Sequence, residues 1–200
     1  MLQGQGQTDT EPRTAAQRVA LDDARLLARI SCRDRRAFEA LYRAYHPRLT
    51  RFLMTFLGRP PLVEEVLNDT MLVVWKRPEG FNGTSKVSTW IFAIAYRTAL
   101  KARARQDEAI EDRQSEFRIS AEPGPEQQLS RIQAQAQLQA ALGQLSPDHR
   151  AVVDLTYFHE VGYREIAEIL DCPVGTVKTR MHHARRHLKH ALPGGLEDWL

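Results

Sequence analysis

Tyr163-Arg164-Glu165-Ile166-Ala167-Glu168-Ile169-Leu170, then Asp171-Cys172-Pro173, then Val174-Gly175-Thr176-Val177-Lys178-Thr179-Arg180, reads as a short amphipathic helix, a tight turn and the opening of a second helix. Ile166, Leu170 and Val177 fall where two crossing helices need apolar contacts. Ala167 is the small residue that lets the helices approach closely. Asp171 stands where the turn needs left-handed backbone, a conformation that Asp tolerates better than most residues. The pattern is a helix-turn-helix, its second helix running from about Val174 to His190.

That second helix is one-sided in charge. From Thr176 to His190 there are five bases (Lys178, Arg180, Arg185, Arg186, Lys189), four histidines and no acid. Thr176, Lys178, Thr179 and Arg180 lie near its start, placed for base edges or phosphates in a major groove. Arg185 and Arg186, continued by Lys189, suit backbone phosphates. His183 and His187 are one turn apart, but the helix has no acid or cysteine to complete a metal site. No metal is expected.

Moving toward the N-terminus, Ser146-Pro147 is an N-cap followed by a first-turn proline. Gln133 to Gln139 alternates Gln with Ala or Leu, which suits a helix leading into this second domain. Before it, Asp107 to Glu126 holds seven acids against Arg113 and Arg118, with Pro123, Gly124 and Pro125 and no apolar period. This is expected to be a flexible acidic linker. On its other side, Lys86 to Arg105 carries five bases (Lys86, Arg97, Lys101, Arg103, Arg105) and no acid. A helix is expected over Ser88–Arg105, capped by Ser88 or Thr89. Trp90, Ile94, Arg97, Lys101 and Arg105 then form one stripe, an aromatic beside cations, which suits unstacked bases and phosphates. Trp90 is equally well read as core.

Two further apolar stripes precede this helix. Phe38, Leu41, Tyr42, Tyr45, Leu49, Phe52, Leu53 and Phe56 follow helical spacing, with a kink or break expected at Pro47. Val63, Val66, Leu67, Thr70, Met71 and Val74 form the second, which leaves Glu65, Asn68, Asp69 and Leu72 on another face. No strand alternation is evident. The chain is expected to be all-α, with two small helical domains: a tail over 1–22, a first domain over 23–106, a linker over 107–128, a second domain over 129–192 and a tail over 193–200.

The chain has 200 residues, 42% of them hydrophobic, and a net charge of +3. No apolar run approaches a bilayer span, and the polar N-terminus lacks a signal-peptide core. Cys32 and Cys172 lie far apart and outside any metal-binding pattern, as expected of free thiols in a reducing compartment. A cytoplasmic location is expected. No phosphate-cradling glycine loop or nucleophile–base pair is apparent, so neither a cofactor nor an enzymatic activity is expected.

Leu145-Ser146-Pro147-Asp148-His149-Arg150, the run Tyr157 to Ala167, and Pro173 to Arg180 together resemble conserved region four of the extracytoplasmic-function sigma factors. The first half is similar to region two of that family. Phe38 to Tyr42 resembles its start, Val63 to Met71 its polymerase-docking segment, and Val74-Trp75-Lys76 with Ser88-Thr89-Trp90-Ile91 the approach to its promoter-melting helix. Two departures are visible: Asn68-Asp69 where the family usually has Gln-Glu, and Arg97-Thr98 where Arg-Asn is common.

The resemblance implies an alternative sigma factor that binds core RNA polymerase, through its clamp helices and flap, and directs initiation at promoter DNA. Thr176, Lys178, Thr179, Arg180, Arg185 and Arg186 would then read the minus-thirty-five element. Phe81, Asn82, Lys86, Trp90, Arg97 and Lys101 would serve the minus-ten element, and Glu65, Asn68, Asp69 and Leu72 would dock core polymerase. An anti-sigma factor is the implied regulator. The competing reading is a stand-alone helix-turn-helix regulator that binds operator DNA without polymerase. A sigma mimic would not require two basic DNA-facing helices, and a nucleic-acid-processing enzyme would require a cluster of acids or histidines that the first domain lacks.

Overall fold

The computed structural model describes residues 15–110, 137–138 and 140–192, and among them the secondary structure is helical with no strand. The first unit contains α1 (Ala15–Ser31), α2 (Arg35–Leu57), α3 (Pro60–Lys76), a 3-10 turn (Pro78–Gly80) and α4 (Val87–Ile110). The second contains α5 (Pro147–Tyr157), α6 (Tyr163–Ile169) and α7 (Val174–Ala191).

Local chemistry sets most boundaries. Asp34 caps α2 by accepting from the amides of Arg36 and Ala37 at 2.9 and 3.2 Å. Gly58 ends that helix in left-handed backbone (φ 69°), its amide donating to the Met54 carbonyl. Pro60 opens α3, where a missing amide costs nothing. Ser146 caps α5 ahead of Pro147, as the sequence suggests.

Three expectations are corrected. α1 begins at Ala15, so part of the expected tail is helix; its Ala, Leu and Arg content favours one, and Leu27 and Ile30 anchor it in the core. α2 runs through Pro47, so the break that was one of the two outcomes expected there does not occur. Pro47 and Arg43 are both exposed, so the Arg43 carbonyl, which loses its amide partner, sits on the outer side of the helix. α4 starts at Val87 and continues to Ile110, which places Ser88 and Thr89 inside its first turn and makes the first residues of the expected linker helical. The rest of the expected linker and the C-terminal tail lie outside the described residues.

Both central apolar stripes are buried as expected, apart from half-buried Phe38 and Tyr42 at one end. Asp23 of α1 is also buried and accepts a 2.5 Å hydrogen bond from the Tyr45 hydroxyl. Burial raises the Asp23 carboxyl above its usual 3.8, outweighing the hydrogen bond from Tyr45 and the charge of Arg48.

The second unit closes on the first. α5 packs against α2 and α7, and α6 packs against α4 and α7. In the helix-turn-helix, Ile166, Ala167, Leu170 and Val177 are buried at the crossing. Asp171 has φ 50°, the left-handed value the turn requires, and the Cys172 amide donates to the Ala167 carbonyl at 3.0 Å.

Two outcomes test this construction. Asp171→Gly is expected to leave urea-denaturation stability within about 0.5 kcal/mol, whereas Asp171→Val forces a β-branched side chain into left-handed backbone and is expected to cost more than about 1 kcal/mol. Because the folded state holds the Asp23 proton more tightly than the unfolded chain, ionisation of Asp23 subtracts stability as pH rises through its raised folded value. Asp23→Asn is therefore expected to raise the melting temperature at pH 7, with the gain disappearing toward pH 3.8.

Candidate nucleic-acid and docking interfaces

Lys178, Thr179, His182, Arg185, Arg186 and Lys189 are exposed on α7, and Thr176 is half-buried. Spacings of three, four and seven residues align Lys178, His182, Arg185 and Lys189 along one side of the helix. The Thr179 hydroxyl donates to the Gly175 carbonyl at 3.0 Å. Arg185 donates to the Tyr157 hydroxyl at 3.0 Å, which fixes the guanidinium beside α5.

Arg180 departs from the expected set. It is half-buried, and its Nη2 donates to Asp148 Oδ2 at 2.5 Å. The Tyr96 hydroxyl of α4 donates to the other Asp148 oxygen at 3.1 Å. Burial, then the Asp148 carboxylate, push Tyr96 up to about 12, so it remains a donor. Two residues along a helix is a rotation of about 200°, so Lys178 points outward while Arg180 points back toward α5. Arg180 is thus a structural ion pair in this conformation and does not join the exposed basic face.

His149 faces His183 with ring centroids 6.2 Å apart. Burial, then the charges of His183 and Arg180, lower its pKa. Among the described residues no group of His, Cys, Asp and Glu is arranged to hold a metal.

The minus-ten candidates divide into a packed group and an exposed group. Phe81 and Trp90 are half-buried with ring centroids 5.7 Å apart, and Trp90 lies against Gly80. Trp90 therefore belongs to the packing beneath the 81–87 loop, and Ile94 in the same stripe is buried. This half of α4 is covered by neighbouring helices, whereas Arg97 and Lys101 further along are exposed. The Asn82 side-chain oxygen accepts from the Thr84 amide and hydroxyl at 3.1 and 2.7 Å, which shapes the loop around Gly83 (φ 76°). Lys86 forms a 2.8 Å ion pair with Glu165 of α6.

The docking candidates fall on both sides of α3. Asn68 accepts from the Tyr42 hydroxyl at 3.2 Å and, with Leu72, Phe38, Tyr42 and Trp75, lines a groove of about 560 Å³ against α2. Arg33 braces Trp75 by donating to its carbonyl at 3.0 Å. Glu65 faces α4 instead, 3.8 Å from Arg105. Asp69 and Leu72 line a second groove of about 800 Å³ with Val73, Lys76, Arg77, Thr98, Lys101 and Arg105. Leu72, 44% exposed, is the ridge between the two. The aromatic wall of Phe38, Tyr42 and Trp75 had no distinguishing mark in the sequence, because its spacing is the same as that of the core stripe it extends.

Two family models match the chain: Sigma-70 region 2 over residues 41–109 and Sigma-70, region 4 over residues 135–188. RNA polymerase sigma factor YlaC of Bacillus subtilis is 30% identical over 175 residues, covering 83% of this chain and 98% of that protein. The chain belongs to the sigma-70 family, in its extracytoplasmic-function group. The RNA polymerase sigma-H factor of Pseudomonas aeruginosa is 28% identical over 180 residues, covering 85% of this sigma factor and 93% of that one. The fold matches CnrH, solved in complex with the cytosolic domain of CnrY, with a TM-score of 0.63 at 23% identity over 84% of this chain and 96% of that one. As an alternative sigma factor it directs promoter-specific transcription initiation, and the stand-alone operator-binding reading is set aside by the region 2 match.

Exposed and buried positions of α3 should separate in stability measurements. Leu72→Ala is expected to change denaturation stability by less than about 0.5 kcal/mol. Met71→Ala, beside it but buried, is expected to cost about 2–5 kcal/mol.

Proposed function

We propose that three surfaces of this sigma factor divide the work of initiation. The groove between α2 and α3, with Asn68 and Leu72 on its rim, receives the clamp helices of core polymerase, and Glu65 and Asp69 add negative charge on the α4 side. The 81–87 loop and the exposed Arg97 and Lys101 of α4 take the minus-ten strand. Trp90 supports that loop from below rather than stacking on a base. The exposed side of α7 enters the major groove at the minus-thirty-five element. There Lys178 and Thr179 are near the base edges, and Arg185, Arg186 and Lys189 lie along the phosphates.

The observation that carries the assignment is the exposed basic side of α7, which begins directly after a helix-turn-helix turn with the required left-handed residue. A second cationic helix, α4, in the unit matched by region 2 separates this arrangement from a single operator-binding module. The chemistry is non-enzymatic and needs no cofactor or metal, because selection rests on charge and shape. Action on chromosomal DNA places the protein in the cytoplasm; among the described residues no helix is long and apolar enough to cross a membrane. The matching folds of CnrH, and of the sigma factor RpoE solved with the anti-sigma factor NepR from Bartonella quintana, support an anti-sigma partner here as well.

Run-off transcription with core polymerase on promoter fragments tests this division. Lys178→Ala with Arg186→Ala is expected to reduce initiation about ten- to a hundredfold, as loss of one base and one phosphate contact would. Binding to core polymerase should stay unchanged. Leu72→Ala should do the reverse, weakening core binding. Full transcription from the Lys178→Ala/Arg186→Ala variant would reject the assignment of α7.

A further inference from the structure

The four histidines of α7, His182, His183, His187 and His190, are all exposed, and the division of work above uses none of them. A helix turns about 100° per residue, which fixes the direction each one takes. Relative to His182, Lys189, Lys178 and Arg185 lie about 20°, 40° and 60° to one side, and Arg186 lies about 40° to the other. His182 is therefore the middle of the cationic arc, and histidine is the side chain whose charge ordinarily changes near neutral pH. Along the axis it stands about 6 Å beyond Lys178 and about 4.5 Å before Arg185. That is between the end of α7 assigned to base edges and the end assigned to phosphates.

The other histidines take other directions. His183 and His187 are turned about 100° and 140° from His182, toward Arg180 and the start of α5. There the His183 ring faces that of His149 at 6.2 Å, and His149 Nδ1 meets the Ser146 hydroxyl. Burial, then the charges of His183 and Arg180, lower the pKa of His149, so that residue resists protonation. His190 lies in the last turn, about 80° round.

The groups packed against α7 leave His182 to its outer side. α5 brings Asp148 to Arg180, His149 to His183, and Tyr157 to Arg185, whose guanidinium lies 5.8 Å from that ring. Cys172, in the turn, meets Arg180 at 3.8 Å. The α6 acids Glu165 and Glu168 line the cleft at the 81–87 loop instead. The His183 ring is 5.8 Å from that of His182, and among the described residues no carboxylate is paired with His182. The anion this arc suits is a DNA backbone. A phosphate within a few ångströms of an imidazole favours its protonated form, whereas a neutral imidazole has no net attraction to one.

Resting on the assignment of α7 to the upstream element, we propose that His182 is a further DNA-contact residue and takes up a proton as α7 seats in the major groove. Its imidazolium pairs with a backbone phosphate ahead of those met by Arg185 and Lys189. The grip on the minus-thirty-five element is then linked to pH. Because the complex holds this proton more tightly than the free chain does, affinity is highest at acid pH. It falls as pH rises through the histidine range, roughly pH 6–8.

The test is binding of reconstituted holoenzyme to a labelled duplex carrying only the upstream element of a promoter active in run-off transcription. Wild type is expected to bind about three- to tenfold more tightly near pH 6 than near pH 8, as one proton taken up by one histidine gives. The slope of log affinity against log salt should also steepen by about 0.9 at the lower pH, the value of one more phosphate contact. His182→Gln keeps a polar side chain that does not titrate, and is expected to lose most of the pH response and the steepening. His182→Arg should bind near pH 8 about as tightly as wild type does near pH 6. His183→Gln, turned toward α5, should keep the wild-type response. A full pH response in His182→Gln, or an equal loss of affinity at both pH values, overturns proton uptake at His182. Lys178→Ala separates the two readings. Unchanged affinity in that variant at both pH values rejects α7 as the upstream reader, whereas weakened binding there with a full pH response in His182→Gln rejects only the role of His182.

Discussion

The face of α2 and α4 that carries Phe52 and Phe92 cannot be left in water without cost, and everything about the arrangement of the two units depends on how it is covered. Burying an aromatic side chain contributes about 1.5–3 kcal/mol, and edge-on ring pairs add about 0.5–1.5 kcal/mol. Here the cover is a residue pair from another unit, Phe158 and His159, delivered at the end of α5. The same contact brings a buried carboxylate, Asp154, up to a cation on the exposed side of α2. An apolar contact with a polar flaw at its centre holds two units together without fusing them.

Charge is arranged around that contact with a consistent logic. Acidic side chains of α5 and α6 stand against a base of α7 and against Lys86, just ahead of α4. Asp148 neutralises Arg180, and Glu165 neutralises Lys86. The cations left outward, Lys178, Arg186 and Lys189 on α7 and Arg97 and Lys101 on α4, are separated from the seam by the rotation of their helices. Part of the positive surface therefore faces outward while the rest is paired internally.

The side of α3 that carries Leu72 shows a different balance. Leu72 stands exposed between two grooves, with Phe38, Tyr42 and Trp75 forming a wall on one side and Lys76, Lys101 and Arg105 a basic rim on the other. An apolar ridge with an aromatic wall suits a helical partner, and a basic groove beside it suits a nucleic-acid strand. The Tyr42–Asn68 hydrogen bond and the Arg33 brace on Trp75 hold the wall in place before any partner arrives.

Most of the fold was legible in the sequence because it rests on local rules. Periodic apolar residues gave α2 and α3; Ser146-Pro147 marked α5; Ala167, Asp171 and Val177 defined the helix-turn-helix, whose second helix the structure extends by one residue past His190. The basic identity of α4 and α7 is likewise a property of composition. What only the tertiary structure decided is which of these cations face outward and what lies against them. Arg180 and Lys178 look equivalent in a list of bases, yet one is paired inside and one is exposed, because the partner, Asp148, belongs to another helix. Trp90 could not be assigned until Phe81 and Gly80 were found packed against it. The seam itself left no sequence mark, since Phe52, Phe92 and His159 come from segments 40 to 107 residues apart, and no periodicity within one helix records what another helix will bring to it.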